Sequence, residues 1–99
     1  MSAKVVFSTN AIADLHAIID FISIDNERRG SSFVEDLSAR IVRKLSVFPE
    51  SGVRIGNLRY VVFGSYVALY SYDADSKVVT VAMVTEGHRN WRAQFEDRQ

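Results

Sequence analysis

Glu86-x-His88-Arg89 is the stretch of this chain whose side chains could move a proton near neutral pH. Histidine titrates in that range without help from its surroundings. Residues two apart on an extended segment point the same way, so Glu86 and His88 would share one rim. With Arg89 and Arg59 they would supply a base, an acid and cationic stabilisation, the set that RNA cleavage through the 2′-hydroxyl requires. Glu86 and His88 also fit an exposed rim pair worth under ~1 kcal/mol. Both readings stand at this level. Trp91 could stack on a base or lock the tail onto a sheet. Arg59 could sit over Tyr70 or read a phosphate or carboxylate.

No Gly-rich phosphate loop, metal-ligand cluster or Ser/His/Asp arrangement stands out, and no cofactor or metal is expected. The chain has no Cys, which removes disulfides and thiolate metal sites. Asp73 and Asp75 are spaced like the start of a calcium loop, but the later Gly and Glu ligands are missing.

Any such site needs elements to hold it. Val5 to Phe7 reads as a short strand. Ser8-Thr9-Asn10 offers N-cap oxygens, and Ala11, Leu15, Ile18 and Ile22 follow at helical spacing, which predicts a helix over about 9–24. Asp25-Asn26 caps a second helix whose stripe is Phe33, Val34, Leu37, Ile41, Leu45 and Phe48, and Pro49 ends it. The short connection makes the two helices an antiparallel hairpin. Gly30 either permits close approach of the first helix or is tolerated. Residues 50–57 read as a loop.

Three apolar runs follow: Leu58 to Phe63, Tyr66 to Tyr72 and Val78 to Thr85. Gly64-Ser65 is a two-residue hairpin turn, and 73–77 a five-residue one, so the runs form a three-stranded antiparallel meander. The first turn pairs Phe63 with Tyr66 and Arg59 with Tyr70; the second pairs Tyr72 with Val78. One face then holds Leu58, Tyr60, Val62, Val67, Leu69, Val79, Val81 and Met83, a floor for the helices. The other holds Arg59, Val61, Phe63, Tyr66, Ala68, Tyr70, Tyr72, Thr80, Ala82 and Val84, with Glu86 and His88 at its rim. That face is expected to be open. An open apolar face marks a binding surface, and Arg59, Phe63, Tyr66, Tyr70, Val84, Trp91 and Arg92 are its expected partner-binding residues.

The architecture is therefore α+β: a strand, an antiparallel helical hairpin, a three-stranded antiparallel meander and a short C-terminal tail. Ninety-nine residues make one domain, 1–99. Its formal net charge of zero argues against a general nucleic-acid binder. Nine of the twelve basic residues are Arg, which suits bidentate contacts to carboxylate or phosphate but also fits a genome-wide bias. No apolar run approaches a membrane span and the start lacks a signal-peptide core, so a cytoplasmic protein is expected.

The order of elements resembles the RelE/ParE family of type II toxin–antitoxin toxins over nearly the whole chain. Ser8-x-x-Ala11-x-x-Asp14-Leu15-x-x-Ile18-x-x-Phe21-Ile22 is similar to the family's first helix. Leu45-x-x-Phe48-Pro49-x-x-Gly52 is similar to its helix-to-loop junction. Leu58-Arg59 with Tyr66-Val67 and Tyr70 resembles the meander, and Val84-x-x-Gly87-x-Arg89-Asn90-Trp91 the closing motif. The junction and closing motif look closer to the ParE branch. The resemblance implies a cognate antitoxin that wraps the toxin, and inhibition of DNA gyrase by binding without catalysis. A RelE-like alternative is ribosome-dependent cleavage of messenger RNA; a third is a member that binds antitoxin but is no longer toxic. Glu86 and His88 stand where the ParE pattern usually has His and Arg.

Overall fold

The computed structural model describes residues 2–87 and 91–93. Strand β1 (Lys4–Phe7) leads into helix α1 (Thr9–Ser23), and α2 (Glu27–Val47) folds back along it. Four strands follow: β2 (Val53–Ile55), β3 (Leu58–Phe63), β4 (Tyr66–Asp73) and β5 (Val78–Glu86). They form one sheet in the order β1-β5-β4-β3-β2. The meander β3–β4–β5 is its centre, extended by β1, parallel to β5, and by β2, antiparallel to β3. The α+β order read from the sequence is the order observed, except that residues 50–57, expected as a loop, contain β2, which pairs with β3.

The caps are local chemistry. The Ser8 side chain accepts from the Ala11 N–H at 3.1 Å, and Asn26 Oδ1 from the Arg29 N–H at 3.2 Å, each satisfying an orphan donor of a helix start. Gly30 permits close approach of the helices: a Cβ there would meet Ser23 Oγ and lie 2.7 Å from the Ile19 carbonyl oxygen. Gly64, at φ 61°, opens the tight turn that pairs Phe63 with Tyr66 and, four residues on, Arg59 with Tyr70.

Two expectations need correction. The first concerns which face the helices cover. They pack on Val61, Phe63, Ala68, Tyr70 and Val84, through Ala11, Leu15, Val34, Leu37, Ile41 and Leu45. The face expected to be open is the main core, and Tyr70 is 0% exposed within it. The expected floor residues Val67, Leu69 and Met83 lie on the reverse side, where Trp91 covers them with help from Leu58 and Tyr60. Ala68, a small residue in mid-sheet, is fully buried under the helices, with Val61, Phe63 and Tyr70 around it.

The second correction is a bulge. Leu69 pairs with Met83 but Tyr70 pairs with Val81, so Ala82 is left over on β5. Side-chain parity flips there. Val79 and Val81 join the helix face with Val84, Thr80 joins the reverse face, and the hairpin closes with Tyr72 opposite Val79 and Asp73 opposite Val78. The loop is therefore 74–77, one residue shorter than expected. Helix α1 stitches the bulge: Ser8 Oγ donates to the Ala82 carbonyl at 3.2 Å, and Asp14 Oδ2 accepts the Val84 N–H at 3.0 Å.

Candidate functional site

A concavity lies where the α1–α2 turn of the helical hairpin meets the β3–β4 turn. It is a groove of about 1020 Å³. Phe21, Ile22 and Ile24 from the end of α1 form one bank, with Arg29, Phe33, Asp36 and Arg40 from the first two-thirds of α2. Phe63, Tyr66 and Glu86 form the other. Phe33 and Tyr66 brace its floor, their ring centroids 5.4 Å apart, and the Arg40 guanidinium carbon lies 6.0 Å from the Phe63 ring centre. A smaller hollow of about 270 Å³ continues it between α1 and β5, past Asp14, Ile18, Val84 and Thr85.

The bank on α1 is unusual for a domain this small. Phe21 is 68% exposed and Ile24 79%. The hairpin needs neither for its own core. Large apolar side chains collected beside a groove mark a surface that another molecule covers. The charges around them are mixed: Asp25, Asp36 and Glu86 against Arg29 and Arg40.

The residues expected to bind a partner are dispersed by the fold. Tyr66 lines both hollows; Phe63 and Val84 are buried but contribute to their walls. Tyr70 lies in the core, where its hydroxyl accepts the Gly52 N–H at 2.9 Å. Arg59 donates from Nη1 to the Glu50 and Gly52 carbonyls, both at 3.0 Å, so its head closes the α2–β2 connection. Trp91 and Arg92 belong to the reverse face: the Trp91 ring lies 5.1 Å from Tyr60, and the Arg92 guanidinium carbon 4.8 Å from Trp91 and 5.6 Å from Tyr60.

The acid–base constellation fares similarly. Glu86 stands opposite Tyr66 and Arg59 opposite Tyr70, on the same face but on either side of β4 and four strand residues apart, about 16 Å between backbones from strand rise and spacing. Arg59 is also engaged with backbone carbonyls. His88 and Arg89 lie outside the described residues. Among the described residues no group of three or more His, Cys, Asp and Glu is placed to hold a metal ion. Phe21, Ile24, Arg29, Asp36 and Arg40 were not expected as site residues. The available signal was at the end of the first helix, where Phe21-Ile22 and Ile24 put more apolar surface than an antiparallel hairpin can bury.

Residues 5–91 match the family model described as ParE toxin of type II toxin–antitoxin system, parDE. The chain belongs to that family, within the RelE/ParE superfamily of toxin–antitoxin toxins. No functionally curated protein matches it in sequence. Its fold is similar to that of a chain in the chromosomal ParDE system of P. aeruginosa, with TM-score 0.73, 15% identity, and 86% of this chain and 96% of that chain covered. It is also similar to a chain of the RelBE2 toxin–antitoxin complex of Mycobacterium tuberculosis, with TM-score 0.67, 21% identity, and 87% and 92% covered. A mutant of the E. coli toxin RelE in its free state gives TM-score 0.68 at 17% identity, with 99% and 98% covered. No helix among the described residues is long and apolar enough to cross a membrane.

Proposed function

We propose that this toxin acts by binding DNA gyrase, without catalysis of its own, and is silenced by a cognate antitoxin seated in the hairpin groove. The observation that carries the antitoxin half is the exposed Phe21 and Ile24 bank beside Tyr66. An amphipathic segment laid there would bury them, and interfaces concentrate their energy in a few such anchors. The neighbouring folds come from a ParDE system and a RelBE2 toxin–antitoxin complex, which supports a proteinaceous partner.

Three features support gyrase over the ribosome as the target. The family model is that of ParE. The chain is electrically neutral and offers little long-range attraction to ribosomal RNA. Glu86 and Arg59 are too far apart to act on one phosphate, and Arg59 is held by carbonyls. Gyrase is cytoplasmic, so the proposal places the chain there.

A supercoiling assay with purified gyrase and a translation reaction with primer extension test the target together. The expected outcome is lost supercoiling and intact message. Codon-positioned cleavage that disappears in His88→Gln would overturn the gyrase reading, since loss of a proton carrier removes ~10²–10⁴-fold of rate. The antitoxin half is tested by titration calorimetry with the protein encoded in the adjacent reading frame. Phe21→Ala is expected to weaken binding by ~1–3 kcal/mol; unchanged affinity would remove the groove as the docking site.

A further inference from the structure

The groove does not stop at the hairpin's turn. Arg40, part of its wall, also heads a second hollow of about 380 Å³ along the C-terminal part of α2, shared with Arg43, Lys44, Val47 and Phe48. Positions 40, 43, 44 and 47 are spaced by three and four and form one helical face. Val47 is 53% exposed and Phe48 62%. The two hollows therefore make one track, but its electrostatics change along the way. The hairpin end mixes acids with bases; among the described residues, the far end is lined by three cations and no carboxylate.

That combination constrains the occupant. The cations call for carboxylates or phosphates, while Val47 and Phe48 call for apolar side chains. Phosphodiester backbone supplies only the first, and the chain as a whole is neutral. An acidic amphipathic polypeptide supplies both. Building on the antitoxin reading of the groove, we propose that the antitoxin segment runs on from the groove along α2. There it presents carboxylates to Arg43 and Lys44 and an apolar residue to Val47. From Arg40 to Phe48 the helix rises about 12 Å, so roughly four extended residues or eight helical ones cross the basic stretch. The polarity follows: the partner's anchors for Phe21 and Ile24 lie at one end of its binding segment and its acidic residues at the other. The far stretch draws charge towards the site and fixes the segment's direction; the groove supplies the anchoring contacts.

The absence of Cys makes the test direct, because a single introduced thiol is the only one in the chain. Val47→Cys is labelled with a maleimide, free and in complex with the protein encoded in the adjacent reading frame. In parallel, affinity is measured against salt for wild type, Arg43→Glu/Lys44→Glu and Phe21→Ala/Ile24→Ala, with far-UV circular dichroism to show that each variant is folded. The expected result is at least tenfold slower labelling in the complex and 10–100-fold weaker binding of the Glu variant, with a shallower salt dependence. Labelling as fast as in the free chain, or an unchanged affinity of the Glu variant, overturns the acidic-segment proposal. If Phe21→Ala/Ile24→Ala still weakens binding, the groove reading survives that result. If wild type does not bind the adjacent-frame protein, both fall. Slow labelling without any partner, with a dimer in sedimentation, assigns the stretch to a second copy of the chain. Capture of a duplex oligonucleotide that the Glu variant loses assigns it to nucleic acid. Either overturns the proposal.

Discussion

The Tyr70 hydroxyl accepts the Gly52 N–H inside the core, out of reach of water. Arg59 holds the same connection from the other side through the Glu50 and Gly52 carbonyls. Together they convert a Gly-containing loop into a fixed joint between α2 and the sheet. A Cβ on Gly52 would lie 2.6 Å from the Tyr70 hydroxyl and 2.9 Å from the Tyr60 carbonyl, so the joint has no room for another residue type. Tyr70→Phe keeps the ring volume and removes only the acceptor. It is expected to cost about 1–3 kcal/mol, because a buried donor is left unpaired. A urea midpoint equal to wild type, at unchanged slope, would show that the hydroxyl is dispensable. The pairing of Arg59 with Tyr70 was legible in the sequence, because a two-residue turn dictates register for the strands it joins. Their roles were not. Strand parity says which residues share a face, and both faces here read as apolar, so nothing local tells which one the helices choose. Tyr70 looked like a docking residue for that reason and is a core residue instead.

The elements were the most legible level. Caps at Ser8 and Asn26, the stop at Pro49 and the turn at Gly64-Ser65 all follow from side-chain and backbone chemistry within a few residues. What escaped was long-range. The three residues of β2 carry no pattern of their own and become a strand only because β3 is beside them. The bulge at Ala82 has no sequence signal either; it is stabilised from the start of α1, through Ser8 and Asp14, by bonds that span 74 and 70 residues of chain. The helical hairpin offers a sharper test of element packing. In an isolated helix Gly30→Ala would gain ~1 kcal/mol. Here the added methyl meets the Ile19 carbonyl at 2.7 Å as well as Ser23 Oγ. Backbone yields less readily than a side chain, so the sign reverses, and a net destabilisation of about 1–3 kcal/mol is expected from overpacking. A raised melting temperature in Gly30→Ala would mean that the helices separate at little cost. The same change would then be expected to widen the groove whose α1 bank carries Phe21 and Ile24.

Across the whole molecule the sheet separates two tasks. Its helix face builds the main core and ends in the groove; its reverse face is closed by the C-terminal segment. Composition bounded little of this in advance: a neutral charge balance and no disulfides. The placement of the tail depended on the face choice, and so was not readable. Trp91 is 8% exposed and seals Val67, Leu69 and Met83, with Tyr60 beside it and Arg92 stacked across both rings. Trp91→Ala would strip that layer. Core Trp and Phe truncations cost ~3–5 kcal/mol, and Trp91→Ala is expected to fall in that range. That is a large share of the stability of a domain this size. Trp91→Phe keeps most of the apolar cover and should cost markedly less. Both can be followed by far-UV circular dichroism in urea, since the chain's only Trp is the residue removed. The groove lies on the opposite side of the sheet, so folded Trp91→Phe should bind the antitoxin within twofold of wild type. A large affinity loss in that variant, at near-wild-type stability, would mean that the partner reaches around the sheet to the tail, and Trp91 and Arg92 would return as contact residues.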